Sequence, residues 1–154
     1  MIKFYYHPAP NPAKVALFLE ESGLPYEVVP VDTRKGEQFA PDFVAINPNS
    51  KTPVITDGDV GVFDSTAILL YLAEKTGGAV YTIVDMSAWG WVRAVPFILG
   101  DDAWSTLPHL KRWLDLVNAR PAAVRAGALK ERYTFKTEMD TEARRHLFRH
   151  AAAP

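Results

Sequence analysis

The sequence of 154 residues contains no cysteine. That excludes disulfides, a thiolate nucleophile and cysteine metal sites, so any thiol chemistry must arrive on a ligand. The chain also lacks a dominant charge sign: 17 lysines and arginines against 18 aspartates and glutamates leave a formal net charge of −1. Such a balance gives no electrostatic footing for nucleic acid or an anionic membrane, and neither is expected as a partner. No run approaches the roughly 18 apolar residues of a membrane span, and no signal-peptide pattern opens the chain. A cytoplasmic protein is the resulting expectation. What is present is ordinary for a globular chain: 48% hydrophobic and 23% charged residues, enough to build a real core. The length suits one ordinary domain or two very small ones.

The most informative stretch is Asn49 to Leu72, NSKTPVITDGDVGVFDSTAILLYL. Pro53 has no N–H to give to a ladder, so it belongs at the first residue of a strand that continues through Val54 and Ile55. X-Pro bonds alone adopt cis at modest cost, which makes Pro53 a candidate for a cis bond. Asp57-Gly58-Asp59 supplies hairpin-turn residues, and Val60 to Phe63 reads as the returning strand. Asp64-Ser65 then opens a helix with Ile68, Leu69 and Leu72 at helical spacing. The free N–H groups of that helix start, beside a carboxylate and a hydroxyl, suit a small ligand carrying both charges. The same pair also makes an ordinary helix cap.

Upstream, Ile2 to Tyr6 reads as a buried strand and His7-Pro8-Ala9-Pro10 as a rigid connection. Asn11-Pro12 reads as N-cap and first helical position, followed by apolar Val15, Leu17, Phe18 and Leu19 and a stop at Gly23. Tyr26 to Val31 is a second strand, which completes a βαβ unit and hence a parallel pair. Pro41 to Ile46 reads as a short helix. The order βαβ-α-ββα, ending near Gly77-Gly78, is that of the thioredoxin fold, and it divides the chain into an α/β region (1–78) and an all-α region (79–154).

In the second region Thr82-Ile83-Val84-Asp85 is a capping box, with Tyr81 and Met86 placed as its hydrophobic staple. The helix it starts carries Trp89, Trp91, Val92, Val95 and Phe97, apolar nearly all round, and is expected to be buried. Pro108 opens a helix with Leu110, Trp113, Leu114 and Val117, closed by Arg120-Pro121; Pro121 to Leu129 is a shorter helix, and the charged remainder is partly helical or frayed. The tryptophans read as packing residues. His7 and His109 read as surface or loop histidines. His146 and His150 lie four apart without an organised third ligand, so no metal site is expected.

With these pieces placed, the chain resembles the bacterial cytosolic glutathione transferases. HPAPNPAKVALFLEE, SKTPVI, FDSTAILLYL and TIVDMSAWGWVRA with LPHLKRWLDLVNARPA carry the resemblance. It implies a thioredoxin-like glutathione-binding domain at 1–78 and a helical transferase domain at 79–154, with glutathione as cosubstrate and no metal. It further implies that Thr52 and Pro53 meet the cysteinyl part of glutathione, that Asp64 and Ser65 hold its γ-glutamyl amine and carboxylate, and that Gln38 and Lys51 add polar contacts. Asn11 resembles the catalytic residue whose amide approaches the sulfur. The implied activity is attack of the glutathione thiolate on a small electrophile or a disulfide. The alternative is a glutathione-binding or scaffold protein with little catalysis.

Two departures qualify the resemblance. Ala9 stands where close relatives place a hydroxyl, and Tyr5 falls near the catalytic tyrosine of other classes. The two helices that relatives insert before the TIVD helix have no counterpart here. Their absence would expose apolar surface, from which a homo-oligomer with a non-standard interface is expected.

Overall fold

The computed structural model describes residues 1–77, 82–100 and 102–149. Gly78, Tyr81 and His150, and with Tyr81 the expected staple, lie outside the described residues. The chain begins with β1 (Ile2–Tyr6), α1 (Pro10–Ser22), β2 (Tyr26–Pro30), a 3-10 turn (Glu37–Phe39) and α2 (Pro41–Ile46). It continues through β3 (Val54–Asp57), β4 (Val60–Phe63) and α3 (Ser65–Lys75). The four strands form one sheet in the order β2-β1-β3-β4, with β1–β2 parallel and the other two pairs antiparallel. The Thr52–Pro53 bond is cis, and β3 starts directly after it. This is the thioredoxin-like architecture expected from the element order, and helices follow it.

Strand alternation decides what each face of the sheet touches. Ile2, Phe4 and Tyr6 of β1 point into the main core, while Tyr5 faces the other way and meets the Phe43 ring of α2 edge-on at 5.8 Å. Helix α1 is the centre of the packing: Pro12 to Leu19 are all buried, against the sheet on one side and against helices on the others. Burying one large side chain such as Phe18 contributes about 1.5–3 kcal/mol, so this one helix carries much of the fold. Gly23, at φ 68, ends it in the left-handed conformation that glycine adopts without strain.

The helical region comprises α4 (Ile83–Val92), α5 (Val95–Leu99), α6 (Ala103–Thr106), α7 (Pro108–Asn118), α8 (Pro121–Ala128) and α9 (Thr141–Leu147). Thr82 caps α4 by accepting from the Asp85 N–H, as its capping box requires. Met86 and Trp89 of α4, Leu114 and Val117 of α7 and the alanines of α8 join the same core as β1, α1 and α3. Two ion pairs tie the end of α1 to α8: Glu21 with Arg120 and Glu20 with Arg125. The Trp89 indole donates to Asn118 Oδ1 at 2.8 Å, which supports the reading of Trp89 as a packing residue.

Three expectations are corrected here. The TIVD helix does not run on to Phe97: it ends at Val92, and α5 resumes at Val95 with Pro96 in its first turn. A proline at 96 cannot donate to the Val92 carbonyl and its ring collides with it, so the helix must break between them. The helix is not buried all round either, since Trp91 is half exposed and Phe97 on α5 is 92% exposed. Finally, α1 starts at Pro10, so its N-cap is Ala9 and Asn11 already lies within the first turn. Proline is at home at a first helical position, and here it outweighs the cap preference of asparagine.

Candidate functional site

A cavity of about 770 Å³ opens where the β1–α1 connection, the loop after β2, the loop before β3, the α4–α5 corner and α9 converge. The β1–α1 connection contributes His7, Pro8, Ala9 and Pro10, and the loop before β3 contributes Asn49, Ser50, Lys51 and Thr52. Trp91, Phe97 and Ile98 form an apolar wall opposite. Of the residues expected at a site, Gln38, Lys51 and Thr52 line this cavity. Pro53, Asn11, Asp64 and Ser65 are not among its lining residues.

Gln38 is the most telling of these. It is 4% exposed, and its Nε2 donates to the Thr33 carbonyl at 3.2 Å. Its Oε1 is buried and has no hydrogen-bond partner among the described residues. An unpaired buried acceptor costs about 1–3 kcal/mol, and a donor on a ligand would satisfy it. Arg34 Nε, from the same loop, is the other such atom, while Arg34 Nη1 donates to the Lys136 carbonyl at 2.9 Å. Residue 136 is also held through its N–H by Asp32 Oδ2 at 2.6 Å. These two bonds bring the C-terminal segment over the loop that carries Gln38. Just past α9, the Arg149 guanidinium sits 3.8 Å above the Phe39 ring.

Asp64 and Ser65 occupy the N-terminus of α3. Asp64 Oδ1 accepts from the Thr66 and Ala67 N–H groups at 2.9 and 3.2 Å, so the cap reading holds. Asp64 does so at φ 74, and Ser50 on the cavity wall has φ 53. Non-glycine residues held there cost of the order of 1–3 kcal/mol, and such positions concentrate at binding sites. The Asp64 carboxylate also faces Lys14 of α1, whose ammonium is pushed down by burial against the opposing pull of Asp64. Ser65 is buried. Asn11 reaches the site indirectly: its Oδ1 accepts from the Trp91 indole at 3.2 Å, which links α1 to the apolar wall.

His7 lies in the loop between β1 and α1, as expected, but it is not a surface residue. It is 5% exposed, with its ring edge-on to Phe135 at 5.2 Å. Its Nδ1 lies 3.1 Å from the Val31 carbonyl and 3.5 Å from the Thr33 N–H. One nitrogen cannot donate to the first and accept from the second, and the shorter contact assigns the proton to Nδ1. Burial pushes the imidazole below its ordinary pKa; the Val31 bond opposes this, Arg34 adds to it, and Asp32 and Glu37 oppose it. The neutral ring thus presents Nε2 as an acceptor. Among the described residues the side chains of His109 and Tyr5 take no part in the cavity, and no group of three or more His, Cys, Asp or Glu could hold a metal ion. None of the described helices is long and apolar enough to cross a membrane.

The model of the glutathione S-transferase N-terminal domain matches residues 1–74. The disulfide-bond oxidoreductase YfcG of Escherichia coli is 50% identical over 84 residues, covering 50% of this chain. The chain spans 39% of that relative's length. A glutathione transferase family member from Pseudomonas fluorescens, solved with two glutathione bound, superposes with a TM-score of 0.74 at 25% identity, over 81% of this chain and 91% of that one. A glutathione transferase from Burkholderia graminis, with two glutathione molecules bound per subunit, gives 0.76 at 25% identity over 86% and 89%. Residues 1–74 are thus similar to the glutathione S-transferase N-terminal domain, and the fold of the chain is similar to that of solved glutathione transferases.

Proposed function

We propose that the chain binds glutathione against the β1–α1 connection and the loop before β3, and promotes attack of its thiolate on a small electrophile or a disulfide. The observation that carries this is the buried, unpartnered Oε1 of Gln38 on a cavity also lined by Lys51 and Thr52. An acceptor left unpaired beside a cation and a strand start fits a zwitterionic peptide with its own N–H donors. On this reading Thr52 and Pro53 offer backbone to the cysteinyl part, and Gln38 and Lys51 hold the rest of the tripeptide. Asp64 and Ser65 hold the γ-glutamyl end at the α3 N-terminus, where the helix dipole favours a carboxylate. Glutathione supplies the thiol that a cysteine-free chain lacks.

We assign Asn11 to the catalytic end of this site, at the first turn of α1. The start of that helix favours a thiolate over a thiol. The short connection between α3 and α4, residues 76–82, supports the reading that two family helices are absent there. Ala9, a cap without a side-chain hydrogen bond, favours the second reading of a glutathione-binding protein with little turnover.

Calorimetric titration with reduced and then oxidised glutathione tests the proposal. Saturable binding of the reduced form is expected; preference for the oxidised form would assign disulfide reduction. Heat signals indistinguishable from dilution with both, on a folded sample, would overturn it.

A further inference from the structure

We propose that His7 is the proton acceptor for the bound thiol, in the place where Ala9 leaves no hydroxyl. The inference rests on the glutathione reading and adds a residue that the reading does not contain.

Three geometric observations carry it. First, the β1–β3 register pairs Lys3 with Thr56, Phe4 with Ile55 and Tyr5 with Val54. His7 and Thr52, the residue read as holding the cysteinyl backbone, each lie two residues beyond the last of these pairs, at the same end of the two strands. Second, both residues line the cavity. Third, Nδ1–H is committed to the Val31 carbonyl, so the basic nitrogen is Nε2. Nε2 has no hydrogen-bond partner among the described residues, yet it is not one of their buried unpartnered polar atoms, which are Arg34 Nε and Gln38 Oε1. It therefore keeps accessible surface, on a residue that lines the cavity.

The step balances within the site. The S–H bond breaks as the Nε2–H bond forms; the sulfur lone pair then bonds to the electrophilic atom while the leaving group departs with its electrons. The imidazolium returns the proton to the leaving group, or to water when that group is a halide. Burial alone disfavours the imidazolium, but the thiolate it faces is an ion-pair partner, the arrangement that activates cysteine–histidine pairs. The charged groups around the ring are Asp32, Glu37 and Arg34 from the loop after β2, with Lys51, His146 and Arg149 on the other walls of the cavity. The C-terminal segment presents the apolar Phe135.

The test uses the whole chain with glutathione and a nitroaryl chloride. The ultraviolet absorbance of the thiolate is followed against pH in wild type, His7→Asn and His7→Gln. Asparagine keeps a donor toward Val31, and glutamine keeps the length without the basicity. In wild type the bound thiol is expected to titrate below the roughly 8.5 of a free thiol. In both variants it is expected to titrate at least about one pH unit higher. Rate per glutathione bound should fall about ten- to a hundred-fold, the range for loss of a general base, while glutathione affinity changes less than about two-fold. The acid limb of the rate, which follows formation of the bound thiolate, should move to higher pH with the thiol titration in both.

Binding of glutathione with the same thiol titration in wild type and variants would overturn the role of His7 alone. Absence of glutathione binding by folded wild type would overturn the functional reading with it. Nitrogen-15 correlation of the wild-type imidazole needs no variant: a proton on Nε2 instead of Nδ1 in the free protein would also overturn the assignment.

Discussion

At the scale of single residues the site is a set of side chains with two duties each. Asp64 caps α3 and stands at φ 74, so alanine there removes two hydrogen bonds and places a Cβ-bearing residue where only the asparagine and aspartate side chains compensate locally. Asp64→Ala is expected to lower stability by about 0.5–2 kcal/mol through the cap alone. Asp64→Asn retains both the cap oxygen and tolerance of the backbone, so its melting temperature should stay close to wild type. On the proposed reading both variants weaken glutathione binding by about 1–3 kcal/mol, because a ligand ammonium loses its carboxylate. Calorimetry beside thermal denaturation separates the duties: an asparagine variant with unchanged affinity would remove Asp64 from the site and leave it only a cap. His7 shows the limit of reading residues singly. Its neighbours in sequence are prolines and a strand, which suggests a solvated connection, and only the parallel β1–β2 pairing reveals that Val31 closes over it.

At the scale of elements, what the sequence made legible followed from local rules. The bounds of β1, β4 and α2 come directly from apolar runs bracketed by proline, glycine and aspartate. The start of α1 did not, because Pro8, Pro10 and Pro12 offer competing first positions and a backbone-only cap at Ala9 leaves no signature. The break before α5 was legible in principle from Pro96, whose effect on the Val92 carbonyl is local, yet the stretch from Trp89 to Phe97, apolar except for Arg93, masks it. The β1–β2 and β3–β4 pairings were legible from the βαβ order and the hairpin turn, but the packing of helix on helix was not. Gly90 illustrates why: a Cβ built there would lie 2.3 Å from the Pro10 carbonyl oxygen, so α4 reaches the first turn of α1 only because residue 90 has no side chain. Gly90→Ala is therefore expected to be destabilising despite the higher helix propensity of alanine. That propensity favours the variant by about 1 kcal/mol, while forced separation of packed elements costs about 1–3 kcal/mol. Because Trp91 sits next to it and bonds Asn11, the variant should also alter tryptophan fluorescence of the folded state. A melting temperature above wild type would show that α1 and α4 are free to separate.

At the scale of the whole molecule, the main core unites one face of the sheet with α1, α3, α4, α7 and α8, and the site lies where the C-terminal segment returns to the loop after β2. That return joins residue 34 to residue 136, a separation that no local pattern encodes, and so the wall formed by α9 could not be foreseen. The opposite wall has a different consequence. Phe97, Ile98 and Leu99 are 92%, 58% and 64% exposed, and Trp91 beside them is 49% exposed. A contiguous apolar strip of this kind on a chain of net charge −1 has neither burial nor electrostatic repulsion to keep it from a partner. Taken with the short connection before α4, it leads to the proposal that copies of the chain pair through this strip. The mass measured by light scattering should exceed one chain and rise with concentration. Phe97→Ser with Leu99→Ser, at positions that bury little in the single chain, should return it to one chain without lowering the melting temperature of the monomer. A wild-type mass of one chain at the highest attainable concentration would sink the proposal.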